Sequence, residues 1–186
     1  MSASPTASRS STPTPTALSI IEARFGTLDV TARAKSYMPR GNDLVVNMSL
    51  AWSDTDPWLG QKKCLAMLYS LETSIRTFVA CENDPTSTLI PGGMGSNSPE
   101  ITRFPSPFPN FTIVSVVWGR QEIRTQKIYD SLYEFKGNGS DIPFSNDLFL
   151  EDSLIKNSKS AVIWYTSDDY STIKSLNGKE GDRAAF

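Results

Sequence analysis

The chain has 186 residues, of which 39% are hydrophobic and 20% charged, and a net charge of −2. This length suits one large domain or two small ones, and the apolar fraction is high enough for a folded core. The absence of histidine excludes His-based catalytic triads and His-ligated metal sites. Two cysteines are too few for a four-thiolate zinc site. The near-neutral charge, without a basic cluster, argues against nucleic-acid binding.

Residues 1–16 are mostly Ser, Thr and Pro. They predict a disordered tail, because they offer little apolar surface to bury. The tail lacks the apolar region of a secretory signal, and no stretch approaches the length of a membrane span. We therefore expect a cytoplasmic protein without a membrane span, in which Cys64 and Cys81 are reduced thiols.

Short runs of branched and aromatic residues, separated by Gly, Asn, Asp and Pro, predict β-strands on both sides of residues 85–110. That segment holds half of the 12 prolines. It predicts a linker, because proline fixes φ and removes a backbone donor. The linker separates a first β unit, 17–84, from a second, 111–182.

The stretch 29–38 predicts either a short helical turn or an irregular strand, whereas 122–133 has the apolar spacing of a helix.

The two units resemble each other in sequence. LSIIEARFGTLDVT, which starts at Leu18, aligns with FTIVSVVWGRQEIR, which starts at Phe111, and KKCLAMLY aligns with SKSAVIWY. Gly26 then lies over Gly119. Such a repeat predicts two copies of one small fold. We expect an all-β protein with minor helix, built of two tandem sandwich-like units packed together.

A spaced motif runs through the first unit. It consists of Ile20, Ala23, Phe25, Gly26, Asp29, Val30, Thr31, Asp56, Pro57, Gly60, Lys63, Leu65 and Tyr69. This pattern resembles a β-rich domain of unknown function found at the C-terminal end of mitochondrial J-domain proteins and in fungal proteins. The resemblance implies a fold and carries over no catalytic residue. The second unit departs from the motif at Arg124, Ser153 and Asn157. In overall form alone, a two-unit β protein is also similar to fungal hetero-Diels–Alderases.

Aromatic and basic side chains provide the candidate site residues. Trp52 and Trp58 flank the loop sequence SDTDP, where they either cover the edge of their own unit or line a pocket. Trp118 lies at a strand end, where core packing competes with a binding role. Arg24 lies in an apolar alternation and either faces solvent or contacts an anion or a carbonyl. Tyr69 offers a hydroxyl donor.

The first functional hypothesis is a small-molecule site between the two units, where pockets are common. Catalysis there would need no histidine, thiolate or cofactor, which fits a cofactor-independent cyclase acting on an apolar polyene or enone through a pericyclic, hetero-Diels–Alder type step. Tyr69 and Arg24 are its candidate catalytic residues. The candidate substrate-binding residues are Trp52, Trp58, Trp118 and Met67. The alternatives are a non-catalytic binding module, lectin-like or protein-binding, and a structural protein without a ligand.

Asp54 and Asp56 form the one carboxylate pair that could hold a hard cation such as Ca²⁺. The competing interpretation is a solvated turn, in which an Asp side chain accepts a backbone hydrogen bond beside Pro57. We assign no metal site and no cofactor from the sequence.

Overall fold

The computed structural model describes residues 18–38, 44–48, 52–84, 88–90, 100–150, 154–155, 157–167 and 172–186. The predicted tail, residues 1–16, and the middle of the predicted linker lie outside these ranges. The described part has far more strand than helix, with twelve strands and three helices. This confirms the predicted all-β fold class with minor helix.

Up to residue 90 the chain forms six strands and one helix within the described ranges. These are β1 (Leu18–Phe25), β2 (Leu28–Asp29), α1 (Thr31–Ser36), β3 (Leu44–Val46), β4 (Cys64–Leu71), β5 (Ser74–Cys81) and β6 (Thr88–Ile90). Four of the strands form an antiparallel sheet in the order β2-β1-β4-β5, and β3 pairs with β6. Before α1, the Asp29 carboxylate accepts a hydrogen bond from the Thr31 N–H at 2.9 Å. The helical alternative predicted for 29–38 is therefore correct.

The second unit contains six strands and two helices. These are β7 (Phe111–Trp118), β8 (Gln121–Glu122), α2 (Gln126–Asn138), β9 (Ile142–Pro143), α3 (Asn146–Phe149), β10 (Ser160–Ser167), β11 (Ile173–Lys179) and β12 (Arg183–Ala184). The predicted helix is confirmed as α2, which buries Ile128 and Leu132. It ends at Gly139, whose left-handed φ of 61° costs glycine no strain. Within the described ranges, no helix has the length and apolar character needed to cross a membrane.

The main sheets of the two units have the same topology. The second sheet has the order β8-β7-β10-β11, which repeats β2-β1-β4-β5 strand for strand. Gly26 and Gly119 both follow the first strand of their unit, and both have a φ of 59°. The N–H of Gly26 donates to Cys64 O at 3.0 Å, and the N–H of Gly119 donates to Ser160 O at 2.9 Å. The alignment of the two halves thus corresponds to a repeated backbone geometry.

Each main sheet has an apolar side chain layer on both faces, because alternate residues of a strand point to opposite sides. In β4, Met67 and Tyr69 face an outer core with α1 and β3. Ala66 and Leu68 instead face the second unit, where they meet Trp164 and neighbouring valines. On the far side of the second sheet, α2 and α3 cover another core. The two sheets therefore pack face to face, each with its own outer layer.

The predicted linker contributes a short strand and a core residue to the fold. Thr88–Ile90 forms β6 and pairs with β3; these three residues between prolines are branched or aliphatic, which suits a short strand. Further on, the Ile101 N–H donates to Ile75 O at 3.2 Å. Ile101 is buried in the interface between the sheets. Residues 100–103 therefore run beside β5 and contribute to the core.

Cys64 and Cys81 form a disulfide, so the expectation of reduced thiols is wrong for this structure. The two residues lie opposite each other in the β4–β5 hairpin. In the neighbouring cross-strand pair, Lys63 and Glu82, the Glu82 N–H donates to Lys63 O at 2.8 Å. Because hydrogen-bonded and non-hydrogen-bonded pairs alternate in an antiparallel ladder, the cysteines form a non-hydrogen-bonded pair, in which the Cα atoms approach most closely. The hairpin, centred on the turn after Leu71, supplies the proximity that 17 residues of sequence separation conceal.

Candidate functional site

The two loop tryptophans cover their own unit. Trp52 is 1% exposed, stacks edge-on against Tyr37 with ring centroids 5.2 Å apart, and donates from Nε1 to Asn47 O at 3.2 Å. The half-buried Trp58 ring lies over Gly26, 3.6 Å from where a Cβ would stand. Of the two alternatives that the sequence left open, both residues fit the one in which they cover an edge. Trp52 also borders an open groove along α1.

Trp118 is fully buried in the outer core of the second unit. Its ring stacks on Phe149 with centroids 4.7 Å apart, and its Nε1 donates to Asn146 Oδ1 at 3.2 Å. Each polar and apolar part of the indole therefore has a partner from the same unit. Met67 is likewise fully buried, in the outer core of the first unit.

Tyr69 and Arg24 lie on opposite faces of one sheet. Tyr69 is 1% exposed and belongs to the outer core. Arg24 pairs in register with Ala66, whose side chain faces the second unit. A sheet of backbone separates the two side chains, so the structure does not bring this candidate catalytic pair together.

Arg24 belongs to a polar cluster that joins the units. Its guanidinium forms an ion pair with Glu22 and donates to Ser175 Oγ at 2.9 Å. The Glu22 carboxylate also accepts a hydrogen bond from Trp164 Nε1 at 3.1 Å. At the equivalent position across the repeat, the hydroxyls of Thr77 and Ser115 are 2.8 Å apart and hydrogen-bonded. These contacts are polar links between the sheets, with every named group satisfied.

The carboxylate pair is engaged by neighbouring cations. Asp54 lies 2.6 Å from the Arg33 guanidinium, and Asp56 lies 3.0 Å from Lys63 Nζ. Asp56 also accepts the Trp58 N–H at 2.8 Å, which is the predicted turn. The hydrogen bond from Lys63 is the main cause that lowers the pKa of Asp56. No cluster of potential metal-ligating side chains occurs in the part of the chain that the structure describes.

A cavity of about 290 Å³ opens at one end of the interface between the two sheets. It lies where β7 begins, β10 ends and β11 begins, with β5 and residues 101–103 on the other side. Its walls are mainly apolar and come from both units. The lining residues are Ile75, Ile101, Arg103, Thr112, Ile113, Val114, Thr166 and Ile173.

The Thr166 hydroxyl is the unusual group in this cavity. The residue is only 7% exposed, and its Oγ1 has no hydrogen-bond partner among the described residues. Thr166 lies between Thr112 on β7 and Ile173 on β11 in the sheet register. A buried hydroxyl without a partner costs about 1–3 kcal/mol. Because Oγ1 itself has less than 1 Å² of accessible surface, a bound molecule supplies the missing hydrogen bond only if the side chain turns its hydroxyl toward the cavity.

None of the six residues proposed from the sequence lines this cavity. One signal was available in β10: alternation in SAVIWYTS places Thr166 on the same face as Val162 and Trp164. A hydroxyl at the end of an otherwise apolar face marks the position. Finding it also required knowledge that this face meets the other unit.

In comparisons with known proteins, no family model, no curated protein and no solved structure matches the chain significantly. The resemblance of the first unit to the J-domain-associated β domain stays a prediction, as does the analogy to fungal cyclases.

Proposed function

We propose that this protein binds a small apolar molecule carrying an oxygen function, in the cavity between the two sheets. The observation that carries the proposal is an apolar cavity lined from both units that includes Thr166, whose buried hydroxyl has no partner among the described residues. Apolar walls with one or two placed polar groups are typical of small-molecule sites. The hydroxyl selects a ligand that can hydrogen-bond, because an apolar molecule would leave it unsatisfied.

The size of the cavity limits the ligand. A volume of 290 Å³ equals about ten water molecules at ~30 Å³ each. It lies at the lower end of the range for ligand sites. A single ring or a short branched chain fits these dimensions, and a long polyene does not fit inside without a displacement of residues 101–103.

A cyclase is the catalytic form of the same proposal. An apolar cavity can hold a diene and an enone in a reactive arrangement, and a hydroxyl that donates to the enone carbonyl would favour a concerted cyclisation. The non-catalytic alternative is a binding module that holds the same ligand without turnover. Product analysis after incubation with a small diene and an enal separates the two, because only the cyclase forms the adduct faster than buffer does.

Binding itself is tested by titration with 2-cyclohexen-1-one, followed by the fluorescence of the tryptophans. Trp164 lies two positions before Thr166 on the same face, so a ligand in the cavity changes its emission. We expect saturable binding that weakens about tenfold in Thr166→Val, the value of one hydrogen bond to a buried group. Ile173→Phe fills the cavity and should abolish binding.

Thr27→Val is the matched control, because Thr27 lies in a turn of the first unit and not in the cavity lining. It should bind like the unmodified chain. Equal binding by the unmodified chain, Thr166→Val and Ile173→Phe would contradict the proposal, as would the absence of saturable binding by any oxygenated ligand of this size.

A cytoplasmic location stays a prediction, and the disulfide bears on it directly. Disulfides persist mainly in oxidising compartments. Alkylation of the protein in intact cells, followed by mass measurement, decides the question. Two alkylated cysteines indicate a reducing compartment, and unmodified Cys64 and Cys81 indicate an oxidising one.

A further inference from the structure

Arg103 is the one charged residue among those that line the cavity. The other lining residues are aliphatic or carry a hydroxyl, so no carboxylate in the wall neutralises the guanidinium. Arg103 is exposed and therefore lies at the rim of the cavity, two residues after the buried Ile101. The cavity thus combines an apolar interior with a cation at its entrance.

Four other arginines of the described chain, among them Arg24, form ion pairs with carboxylates. Arg33 bonds Asp54 at 2.6 Å and Arg124 bonds Glu122 at 2.6 Å. Arg120 is 48% exposed and still bonds Asp84 at 3.1 Å. Arg103 forms no ion pair or hydrogen bond within the described residues. Its guanidinium therefore remains available for an anion from outside the chain.

We infer that the ligand is a small carboxylic acid with an apolar body. This inference rests on the proposed function and names the class of ligand for the same site. The apolar body contacts the isoleucines of both units, and the carboxylate receives hydrogen bonds from Arg103. A guanidinium binds a carboxylate through two parallel N–H donors, which also orients the molecule. A second ligand oxygen, or a bound water, completes the Thr166 hydrogen bond.

The test compares three ligands of nearly equal size and different charge: benzoate, benzyl alcohol and benzylamine. Binding is followed by amide shifts in two-dimensional NMR spectra at low salt. We expect benzoate to bind about tenfold more tightly than benzyl alcohol, because only its carboxylate forms charged hydrogen bonds with the Arg103 guanidinium. Benzylamine should bind most weakly, because its ammonium is repelled by the guanidinium.

Arg103→Gln should remove the advantage of benzoate and leave the affinity for benzyl alcohol unchanged. Because Arg103 is exposed, the variant should fold normally. Arg183→Gln is the matched control: Arg183 is also exposed, lies on β12 and does not line the cavity. It should preserve the order of the three ligands.

The two proposals fail in different ways. If all three ligands bind equally, or if Arg103→Gln keeps the preference for benzoate, the carboxylate inference is overturned and the binding cavity stands. If none of the three ligands shifts the amides around Thr166, both the inference and the proposed function are overturned.

Discussion

The two units share a backbone framework and differ at the end of the sheets where the cavity lies. In the second unit, Thr166 is buried beside Thr112. The equivalent positions of the first unit, by the alignment of the repeat, are Ser70 and Ser19; Ser70 is half-buried and Ser19 exposed. Ile101 and Arg103, from the segment that joins the units, line the same cavity as these threonines. The site thus combines residues of both copies with residues of the segment that joins them.

A second difference concerns how the β-hairpins are held together. Both units bury a lysine at the base of the hairpin: Lys63 lies 3.2 Å from Glu82, and Lys159 lies 3.2 Å from Glu180. Burial alone would lower the pKa of Lys63, but its hydrogen bonds to Asp56 and Glu82 raise it above the ordinary value. The first unit adds the Cys64–Cys81 disulfide, one cross-strand pair closer to the turn than Lys63 and Glu82. The ion pair belongs to the repeated framework, and the covalent link does not.

The largest expected effect tests whether the two units fold as one body. Leu68 and Trp164 occupy equivalent positions, and both are fully buried between the sheets. Trp164→Ala should lower the free energy of unfolding by about 3–5 kcal/mol, and more than Leu68→Ala because the indole also bonds Glu22 across the interface. Urea unfolding followed by fluorescence and circular dichroism should show one coincident transition. Two separate transitions would show that the units are independent.

The disulfide gives the next largest effect and acts on the first unit alone. Replacement of both cysteines by serine should lower the free energy of unfolding by about 3 kcal/mol, the value for a loop of this length. Unfolding in urea with and without dithiothreitol measures it. The reductant should have no effect on the double serine variant, which is the control. An unchanged midpoint in the unmodified chain on reduction would show that the link contributes nothing.

A smaller effect distinguishes the outer faces of the two sheets. A Cβ on Gly178 would lie 2.1 Å from the buried Phe144 ring, whereas the first unit has Ala80 at the equivalent place, opposite Leu65. Gly178→Ala should therefore destabilise the fold by about 1–3 kcal/mol through overpacking. The pair Phe144→Leu with Gly178→Ala should recover part of that loss. Thermal unfolding checks both, and a neutral Gly178→Ala would contradict the close packing of Phe144.

The smallest effect concerns two equivalent carboxylates with opposite pKa shifts. Burial would raise the pKa of Asp29, but hydrogen bonds from Thr31 outweigh it and lower the pKa. Burial raises the pKa of Glu122 despite the hydrogen bond from Arg124. Asp29 then stabilises the fold above its unfolded pKa, and this contribution is lost as the pH falls through its folded pKa.

The sign is reversed for Glu122. Its folded form binds the proton more tightly than the unfolded form, so stability decreases as the pH rises from the unfolded to the folded pKa. NMR titration of the side-chain carboxyl carbons should place the midpoint of Glu122 above 4.5 and that of Asp29 below 3.8. A common midpoint for the two groups would contradict the difference in their surroundings.

The framework follows from local sequence patterns, and the site does not. Short branched and aromatic runs predicted strands on both sides of residues 85–110, and the apolar spacing of 122–133 predicted α2. The cavity depends on which face of β10 meets the other unit and on the path of residues 101–103, neither of which is a local property. The same reason explains Arg24 and Tyr69: both lie on correctly predicted strands, but only the register shows that they occupy opposite faces.

The sequence does contain the information that brings the two cysteines together. A turn after Leu71 pairs residues symmetrically about Glu72 and Thr73, which brings Cys64 opposite Cys81. The loop tryptophans gave no such signal. Whether Trp52 covers a core or lines a pocket depends on its contacts with Tyr37 and Asn47, and no local sequence pattern indicates these contacts.

The measurement closest to the central claim is a two-dimensional NMR titration of the ¹⁵N-labelled chain with benzoate. We expect saturable shifts confined to amides around the cavity, on Ile75, Thr112, Thr166 and Ile173, which come from both units. Shifts centred on Trp52 and the groove along α1, or no saturable shift at all, would contradict a ligand site between the two sheets.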